Sequence, residues 1–197
     1  MKVAIIQYNA GNVQSVRYAL QRLGIDSILT DDHEHIRNAD KVIFPGVGNA
    51  ASAMDYLKQK GLDILIKSLT QPVLGICLGL QLLCAHTEEG DTDCLGVFDS
   101  KVKLFRKIGT NETLKVPQVG WNNIYKCSSN LFTGTDDSYV YYVHSYYAEE
   151  CHETVAKTDY FIPYSAALQK DNFYAVQFHP EKSGLKGQKI LSNFLSL

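Results

Sequence analysis

The chain has 197 residues, of which 45% are hydrophobic and 20% are charged, and its formal net charge is −2. These values suit one globular domain over residues 1–197, large enough to bury a two- or three-layer core. The near-neutral charge and the scattered lysines and arginines argue against nucleic acid as a partner.

The first half of the chain alternates short apolar runs with segments of helical periodicity. An apolar run at residues 3–7 precedes a helix predicted over residues 13–23, with Asn12 as a candidate N-cap and Gly24 as the stop. This alternation predicts βαβ units and a parallel sheet. Further strands are predicted at residues 25–29, 41–46 and 72–77, and further helices at residues 50–69 and 78–85.

After about residue 100 the pattern changes to short β-rich segments separated by turns, followed by a helix predicted over residues 187–195. We expect neighbouring strands here to be antiparallel. The whole pattern predicts an α/β fold with a central, mainly parallel sheet and an additional antiparallel β-rich part. The β-rich segments are residues 101–105, 112–117, 121–126, 138–148, 153–158, 165–170 and 173–179.

Cysteine usage and the N-terminus indicate a cytoplasmic protein. The five cysteines are an odd number at irregular spacing, which argues for reduced thiols. The run after Met1 is too short for a signal-peptide core, and no run is long enough to span a membrane. His33 and His35 flank Glu34 in a polar segment, but no further ligand follows at a recognised spacing, so we predict no metal site.

The sequence Gly-Ile-Cys-Leu-Gly at residues 75–79 joins a predicted strand to a predicted helix. This arrangement is typical of a nucleophile elbow, here with Cys77 in the place of a serine. Gly75 and Gly79 leave room for the sharp turn, and the positive end of the helix favours a thiolate. The backbone N–H of Leu78 is then a candidate oxyanion donor. The alternative is a buried structural cysteine, against which the flanking glycines argue.

A second group of candidate catalytic residues lies near the C-terminus, where a predicted strand runs into His179, Pro180 and Glu181. A thiolate that attacks an amide needs a proton donor for the leaving ammonia, and a histidine oriented by a carboxylate fits that role. We therefore predict His179 as the general base and acid, and Glu181 as the residue that orients it. The alternative is a structural or merely exposed histidine.

Five motifs, in this order, resemble those of one known family. Two of them, GICLG and QFHPE, are shared by class I glutamine amidotransferases generally. The other three resemble the glutaminase subunits of imidazole glycerol phosphate synthase, an enzyme of histidine biosynthesis. Leu80 departs from the pattern, because many relatives carry methionine there, but the exchange conserves volume. The motifs are FPGVG (44–48), GICLGLQLL (75–83), PQVGWN (117–122), YYVHSYY (141–147) and QFHPE (177–181).

The resemblance implies the class I glutamine amidotransferase-like (flavodoxin-like) fold, an α/β three-layer sandwich. It also implies a glutaminase without a cofactor, in which Cys77 forms a thioester and His179 and Glu181 complete the triad. It also implies an oxyanion strand and a glutamine-binding site beside Cys77. These oxyanion and glutamine-binding residues are Gly46, Val47, Gly48, Leu78, Gln81, Ser145 and Tyr146.

The resemblance further implies a heterodimer with a cyclase subunit of TIM-barrel fold, which uses the ammonia to make imidazole glycerol phosphate and an aminoimidazole-carboxamide ribotide. The tyrosines of residues 139–147 suit an interface, although a strand whose alternate aromatics fill the core fits them equally well. The role of His144 stays open between site and interface. The residues that match the family's partner interface are Asn12, Trp121, Asn122, Tyr142 and Lys182.

Three alternatives remain at this stage. The chain could be another class I glutaminase, such as that of pyridoxal phosphate synthesis, but PGVG and PQVGWN argue against it. A related family of cysteine hydrolases commonly carries histidine after the nucleophile, where this chain has Leu78. A non-catalytic binding protein on the same scaffold is the third alternative, and the complete triad argues against it.

Overall fold

The computed structural model describes residues 1–8, 11–106, 115–135 and 137–197. Its helices are α1 (Val13–Arg22), α2 (His33–Arg37), α3 (Ala50–Gln59), α4 (Leu62–Ser68), α5 (Leu78–Leu83) and α6 (Gly184–Leu195), with 3-10 turns at Asn130–Phe132 and Pro180–Lys182. Its strands are β1 (Val3–Ile6), β2 (Ser27–Thr30), β3 (Lys41–Phe44), β4 (Val73–Ile76), β5 (His86–Thr87), β6 (Thr92–Asp93), β7 (Lys101–Leu104), β8 (Gln118–Asn123), β9 (Tyr139–His144), β10 (Tyr146–Ala148), β11 (Thr154–Tyr160), β12 (Ile162–Lys170) and β13 (Phe173–Val176).

A seven-stranded sheet in the order β11-β12-β13-β4-β3-β1-β2 forms the centre of the molecule. The five strands from β13 to β2 run parallel, whereas β11 and β12 are antiparallel to their neighbours. Strands β1, β3 and β4 are buried along their whole length, as expected of parallel strands covered on both faces. The predicted α/β class with a mainly parallel central sheet is confirmed.

Alternate residues of each central strand point into two separate hydrophobic cores, because strand side chains alternate between faces. Ala4 and Val42 pack with α3, α4 and α5 on one face of the sheet. Val3 and Ile43 pack with α1 and α6 on the other face. The sheet is therefore the middle layer of a three-layer sandwich, as predicted.

Two smaller sheets flank the central one. One has the order β10-β7-β5-β6, and β8 pairs with β9 in an antiparallel ribbon. The antiparallel pairing predicted after residue 100 is confirmed for β8–β9, β11–β12, β12–β13 and β7–β10. The ribbon stands close to the carboxyl end of the central sheet, where the backbone N–H of His179 donates to the carbonyl of Tyr141 at 2.8 Å.

Several predicted boundaries were wrong, for local reasons. The single helix predicted over residues 50–69 is two helices, because Gly61 adopts a left-handed conformation between α3 and α4. The polar segment with His33 and His35 is helix α2, capped by the Asp32 side chain. Helix α6 begins three residues earlier than predicted, and the short strands β5 and β6 carry too few residues for a periodic signal.

Two further predictions differ from the structure or lie partly outside its described residues. In the segment predicted at residues 112–117, residues 112–114 lie outside the described part of the chain, and residues 115–117 form no strand. Asn12 is the N-cap residue of α1 but makes no side-chain capping bond. Its side chain is used in the candidate active site instead.

Candidate active site

The candidate catalytic residues follow the carboxyl ends of neighbouring parallel strands. Cys77 follows β4, His179 follows β13, and Gly46 follows β3, and these three strands are adjacent in the sheet. Parallel α/β sheets commonly bind their ligands at this edge. The topology therefore brings together three motifs that are far apart in the sequence.

Cys77 occupies a strained turn between β4 and α5. Its backbone has φ 52° and ψ −104°, a conformation that non-glycine residues rarely adopt. A side chain at Gly79 would overlap the carbonyl oxygen of Phe44, and a Cβ at Gly75 would lie 2.8 Å from Leu83. The two glycines thus allow α5 to pack closely on β3 and β4, as the elbow pattern predicts.

His179 and Glu181 form a buried pair beside Cys77. The Nδ1–H of His179 donates to Glu181 Oε1 at 2.7 Å, and both side chains are almost fully buried. Asn12 Nδ2 donates to the same carboxylate oxygen at 2.7 Å. The Nε2 atom of His179 is buried and has no hydrogen-bond partner among the described residues. The bond to Glu181 fixes the ring and leaves Nε2 free to exchange a proton at the nucleophile.

The charges around His179 favour its protonated form. Burial alone acts to lower the pKa of His179. The neighbouring Cys77 thiolate and the hydrogen-bonded Glu181 carboxylate outweigh burial and raise the pKa of His179 to about 10. At neutral pH the site therefore holds a proton on the imidazole, where ammonia formation needs an acid.

The segment Pro45–Gly48 lies next to Cys77, and its carbonyl groups are held by three donors. The Tyr8 hydroxyl donates to the carbonyl of Pro45, to which it makes a very short hydrogen bond. The N–H of Leu78 donates to the carbonyl of Gly46 at 3.3 Å, and the N–H of Gly11 donates to the carbonyl of Val47 at 3.1 Å. The predicted oxyanion donor at Leu78 is therefore occupied by a carbonyl in this conformation.

A small cavity of about 160 Å³ opens beside the Cys77 sulfur. It is smaller than the roughly 300–1,000 Å³ pockets that bind drug-sized ligands, so it suits a molecule of amino-acid size. Five of the predicted glutamine and oxyanion residues line it, together with Cys77, Val143, His144 and Glu89; they are Gly48, Leu78, Gln81, Ser145 and Tyr146.

Glu89, Val143 and His144 line the cavity but were not among the predicted glutamine-binding residues, and two of the three are polar. Glu89 lies in a turn after β5, and its Oε2 accepts from the N–H of Ala50 at 2.8 Å. His144 is buried, and its Nδ1–H donates to the carbonyl of Tyr146 at 2.7 Å. Burial lowers the pKa of His144 to about 4, so this histidine is neutral at pH 7. The sequence signal for Glu89 was only an acidic pair before Gly90, which is typical of any exposed turn.

The residues that match the family's partner interface do not all lie at the surface. Trp121 is exposed and contacts Tyr141 edge to face, with the ring centroids 6.0 Å apart. Asn12 is half-buried and Lys182 is exposed. Tyr142 is fully buried, because alternate residues of β9 face the core, so its prediction as a partner contact was wrong. Tyr141, the next residue on the outward face, is the aromatic neighbour of Trp121.

An open groove of about 540 Å³ lies along the outer edge of β8. Trp121 and Asn122 line it together with the turn between β11 and β12. Asn122 Nδ2 donates to the carbonyl of Asp159 at 2.8 Å, which ties the ribbon to that turn.

Within the described residues, no helix has the length and apolar character needed to cross a membrane.

The model of the family described as glutamine amidotransferase class-I matches residues 4–197 of the chain. The chain belongs to this family. The family resemblance drawn from the five motifs is therefore confirmed. As a class I glutamine amidotransferase the chain is an enzyme, and the elbow and the histidine–glutamate pair lie in the two motifs that the family shares.

Two proteins named as subunits of imidazole glycerol phosphate synthase are similar to the chain over its full length. A protein of Bacteroides thetaiotaomicron named imidazole glycerol phosphate synthase subunit HisH is 58% identical over 198 residues, which cover 100% of both chains. The protein of the same name from Escherichia coli is 44% identical over 200 residues and also covers 100% of both chains. Such identity over the full length is typical of proteins with the same fold and the same arrangement of site residues.

Solved structures agree on the fold. A crystal structure of a glutamine amidotransferase matches with a TM-score of 0.74 at 17% identity and covers 98% of this chain and 97% of that one. The PurLQS structure from Thermotoga maritima matches with a TM-score of 0.72 at 15% identity and covers 99% of this chain and 97% of that chain. At these identities the likeness supports the amidotransferase fold alone.

Proposed function

We propose that this class I glutamine amidotransferase is the glutaminase subunit of an imidazole glycerol phosphate synthase. It acts as one catalytic domain over residues 1–197, hydrolyses glutamine to glutamate and ammonia, and needs no cofactor. The full-length similarity to subunits of that name supports the proposal. Among the described residues no two cysteines form a disulfide, which supports a cytoplasmic location.

One observation carries the catalytic part of the proposal. Cys77, on a strained elbow, faces a cavity of amino-acid size on one side and a buried His179–Glu181 pair on the other. A nucleophile, a base and an orienting carboxylate in this relation form the minimal arrangement for acyl transfer. We therefore propose Cys77, His179 and Glu181 as the catalytic triad.

The geometry supports the following first half of the reaction. The Cys77 thiolate attacks the side-chain carbonyl carbon of glutamine, and the carbonyl oxygen becomes an oxyanion. As the tetrahedral intermediate collapses, His179 gives its Nε2 proton to the leaving nitrogen, and ammonia departs. The product is a γ-glutamyl thioester on Cys77.

The second half returns the enzyme to its starting state. His179, now neutral, removes a proton from a water molecule that attacks the thioester carbonyl. Collapse of this intermediate breaks the carbon–sulfur bond, releases glutamate and restores the thiolate and the protonated histidine. Glu181 holds the imidazole in orientation throughout, because it binds Nδ1 and not the reacting Nε2. Asn12 holds the Glu181 carboxylate in turn.

Glutamine fits the cavity by its charge and its hydrogen-bonding groups. The Glu89 carboxylate in the wall suits the α-ammonium group of the substrate. Gln81, Ser145 and Tyr146 supply further polar groups around the amino acid. A neutral His144 beside them adds no positive charge that would repel the ammonium.

The oxyanion requires a rearrangement of the Pro45–Gly48 segment. An oxyanion hole needs N–H groups directed at the developing charge, whereas the Gly46 carbonyl currently occupies the Leu78 N–H. We propose that this segment reorients when a partner binds its own ligand. The isolated chain is then nearly inactive as a glutaminase, and ammonia forms only when it can be used.

The partner we propose is a cyclase subunit of TIM-barrel fold, which uses the ammonia to form imidazole glycerol phosphate and an aminoimidazole-carboxamide ribotide. A closed interface suits this division of labour, because free ammonia is mostly protonated near neutral pH and then cannot attack. The exposed Trp121 is a suitable interface anchor, since aromatic residues dominate binding energy. The proposed contact residues are Asn12, Trp121, Asn122 and Lys182.

The test is a glutaminase assay on the reconstituted heterodimer. We would mix the chain with a bacterial cyclase subunit and its nucleotide ligand and measure glutamate release for the wild type, Cys77→Ala and Cys94→Ala. Cys94 is a half-buried thiol outside the site, so its variant controls for the loss of any cysteine.

We expect release that depends on the partner, disappears in Cys77→Ala and persists in Cys94→Ala. Release at full rate without the partner would contradict the coupling and favour another class I glutaminase. No release from any of the three proteins would contradict the proposed partner.

A further inference from the structure

Gln177 is fully buried and lies between the nucleophile and the cavity wall. Its Nε2 donates to the Cys77 sulfur at 3.7 Å. Its Oε1 accepts from Gln81 Nε2 at 3.2 Å. Gln177 precedes His179 by two residues, but the triad mechanism assigns it no role.

The backbone determines which end of each amide faces the sulfur. The carbonyl of Tyr146 can only accept, so the Gln81 group that lies 2.9 Å from it must be the NH₂ group. The same NH₂ group faces Gln177, which must therefore present its oxygen to Gln81. The NH₂ group of Gln177 is left to face Cys77, so the sulfur receives a donor and not an acceptor.

We propose that Gln177 is a further catalytic residue, which stabilises the Cys77 thiolate by donating a hydrogen bond to its sulfur. This inference rests on the proposed role of Cys77 as the nucleophile. A row of hydrogen bonds runs from the cavity wall to the reacting sulfur through Tyr146, Gln81, Gln177 and Cys77. This row determines that Gln177 presents its NH₂ group, and not its oxygen, to the sulfur.

The burial of Gln177 shields this contact from water. A hydrogen bond to a charged group gains most where no water competes for the donor. A donor that faces the sulfur favours the ionised form, and an acceptor in the same place opposes it. A substitution that changes only the atom facing the sulfur therefore measures how much the Gln177 donor favours the ionised form of Cys77.

The test variant is Gln177→Glu, which keeps an oxygen for Gln81 and replaces the donor that faces Cys77. Gln177→Met is the second variant, because it removes both polar contacts without adding a charge. Gln71→Glu is the matched control, since its amide donates to the Ile36 carbonyl at 2.9 Å and lies before β4, at the opposite end of that strand from Cys77. Circular dichroism of each variant checks that it folds.

The first measurement is the rate at which iodoacetamide alkylates Cys77 in the free chain as a function of pH, followed by peptide mass analysis. We expect the pH midpoint of alkylation to rise by about one pH unit in Gln177→Met and further in Gln177→Glu. At pH values below the wild-type midpoint the alkylation rate then falls about tenfold. The midpoint in Gln71→Glu stays at the wild-type value. An unchanged midpoint in whichever of the two Gln177 variants folds would overturn the inference.

The second measurement is the pH profile of kcat/KM for glutamine in the heterodimer. If Gln177 acts on the thiolate, activity is lost on the acid side of the pH profile and recovers toward wild type as the pH rises. A merely structural role lowers activity equally at every pH, and that outcome would overturn the inference. Alkylation requires neither glutamine nor partner, so a shifted midpoint without partner-dependent glutaminase would disprove the proposed function and leave standing only the stabilisation of the Cys77 thiolate by Gln177.

Discussion

At the scale of single residues, Glu89 places a carboxylate in the cavity wall without belonging to any motif. A carboxylate that binds the α-ammonium group acts on the bound substrate and the transition state alike, so its loss affects binding and not the chemical step. We expect Glu89→Gln to raise the KM for glutamine about tenfold and to leave kcat within about a factor of two. The check is steady-state glutaminase kinetics of the heterodimer.

The matched control for this prediction is Glu88→Gln. Glu88 is the neighbouring carboxylate, but it pairs with Arg106 at 3.1 Å and with Lys103 and does not line the cavity. Its variant keeps the wild-type KM. Equal KM values for Glu89→Gln and the wild type would show that Glu89 does not bind the substrate.

Candidate catalytic residues could be predicted from the sequence where they belong to a local motif. Cys77 was identified from the glycines beside it, and His179 and Glu181 from their spacing across Pro180. The contact between Asn12 and Glu181 joins residues 169 positions apart, and no local pattern reports such a pair. Tyr142 is buried because it is one of the alternate residues of β9 that face the core. A run of aromatic residues does not indicate which alternate set faces inward.

At the scale of structural elements, the Pro45–Gly48 segment is held by donors from two other parts of the chain. Burial raises the pKa of Tyr8 well above its usual range, so the Tyr8 hydroxyl keeps its proton and remains a donor to Pro45. If this bond stabilises the resting conformation, its removal favours the reoriented one. We expect Tyr8→Phe to raise partner-independent glutaminase activity about fivefold, the effect of one hydrogen bond.

The partner-stimulated rate of Tyr8→Phe stays close to wild type, so the ratio of stimulated to basal activity falls. Tyr56→Phe is the control, because Tyr56 donates to Asp31 at 3.0 Å and does not contact the segment. A basal rate in Tyr8→Phe at or below the wild-type value would mean that Tyr8 does not hold the resting conformation.

The packing of α5 against β3 leads to a second prediction at this scale. A side chain at Gly79 would overlap the Phe44 carbonyl, and two backbones cannot separate without disturbing the central sheet. We expect Gly79→Ala to lower the free energy of unfolding by about 3 kcal/mol, measured by urea denaturation. Gly96→Ala costs only about 1 kcal/mol, because Gly96 has φ 67° but no neighbour within 4 Å among the described residues. Similar losses in both variants would contradict the packing argument.

Elements with strong periodicity were predicted well, and those set by tertiary contacts were not. The apolar strands β1, β3 and β4 and helix α1 lie within one or two residues of their predictions. Strands β5 and β6 have two residues each and exist only because β5 pairs with β6 on one side and with β7 on the other. The order of strands in the central sheet depends on long-range packing, which periodicity does not encode.

At the scale of the whole molecule, two buried histidines affect stability in opposite pH ranges. His144 has its pKa lowered to about 4 in the folded chain, so below the ordinary value of 6.5 the unfolded chain binds a proton that the folded chain does not. Stability is therefore lost as the pH falls from 6.5 to about 4. His179 has its pKa raised to about 10, so its contribution is complete below pH 6.5 and is lost as the pH rises from 6.5 to about 10.

These two effects predict a maximum in the free energy of unfolding near pH 6.5. On the acid side, the shift of the His144 pKa corresponds to a loss of about 3 kcal/mol, since this histidine is fully desolvated. Urea denaturation of the free chain at a series of pH values measures the curve. In His144→Asn, whose amide keeps a donor for the Tyr146 carbonyl, the loss between pH 6.5 and pH 4 becomes smaller and the alkaline side is unchanged. If His144→Asn and the wild type lose the same free energy over that range, other groups cause the acid loss and His144 is not the source.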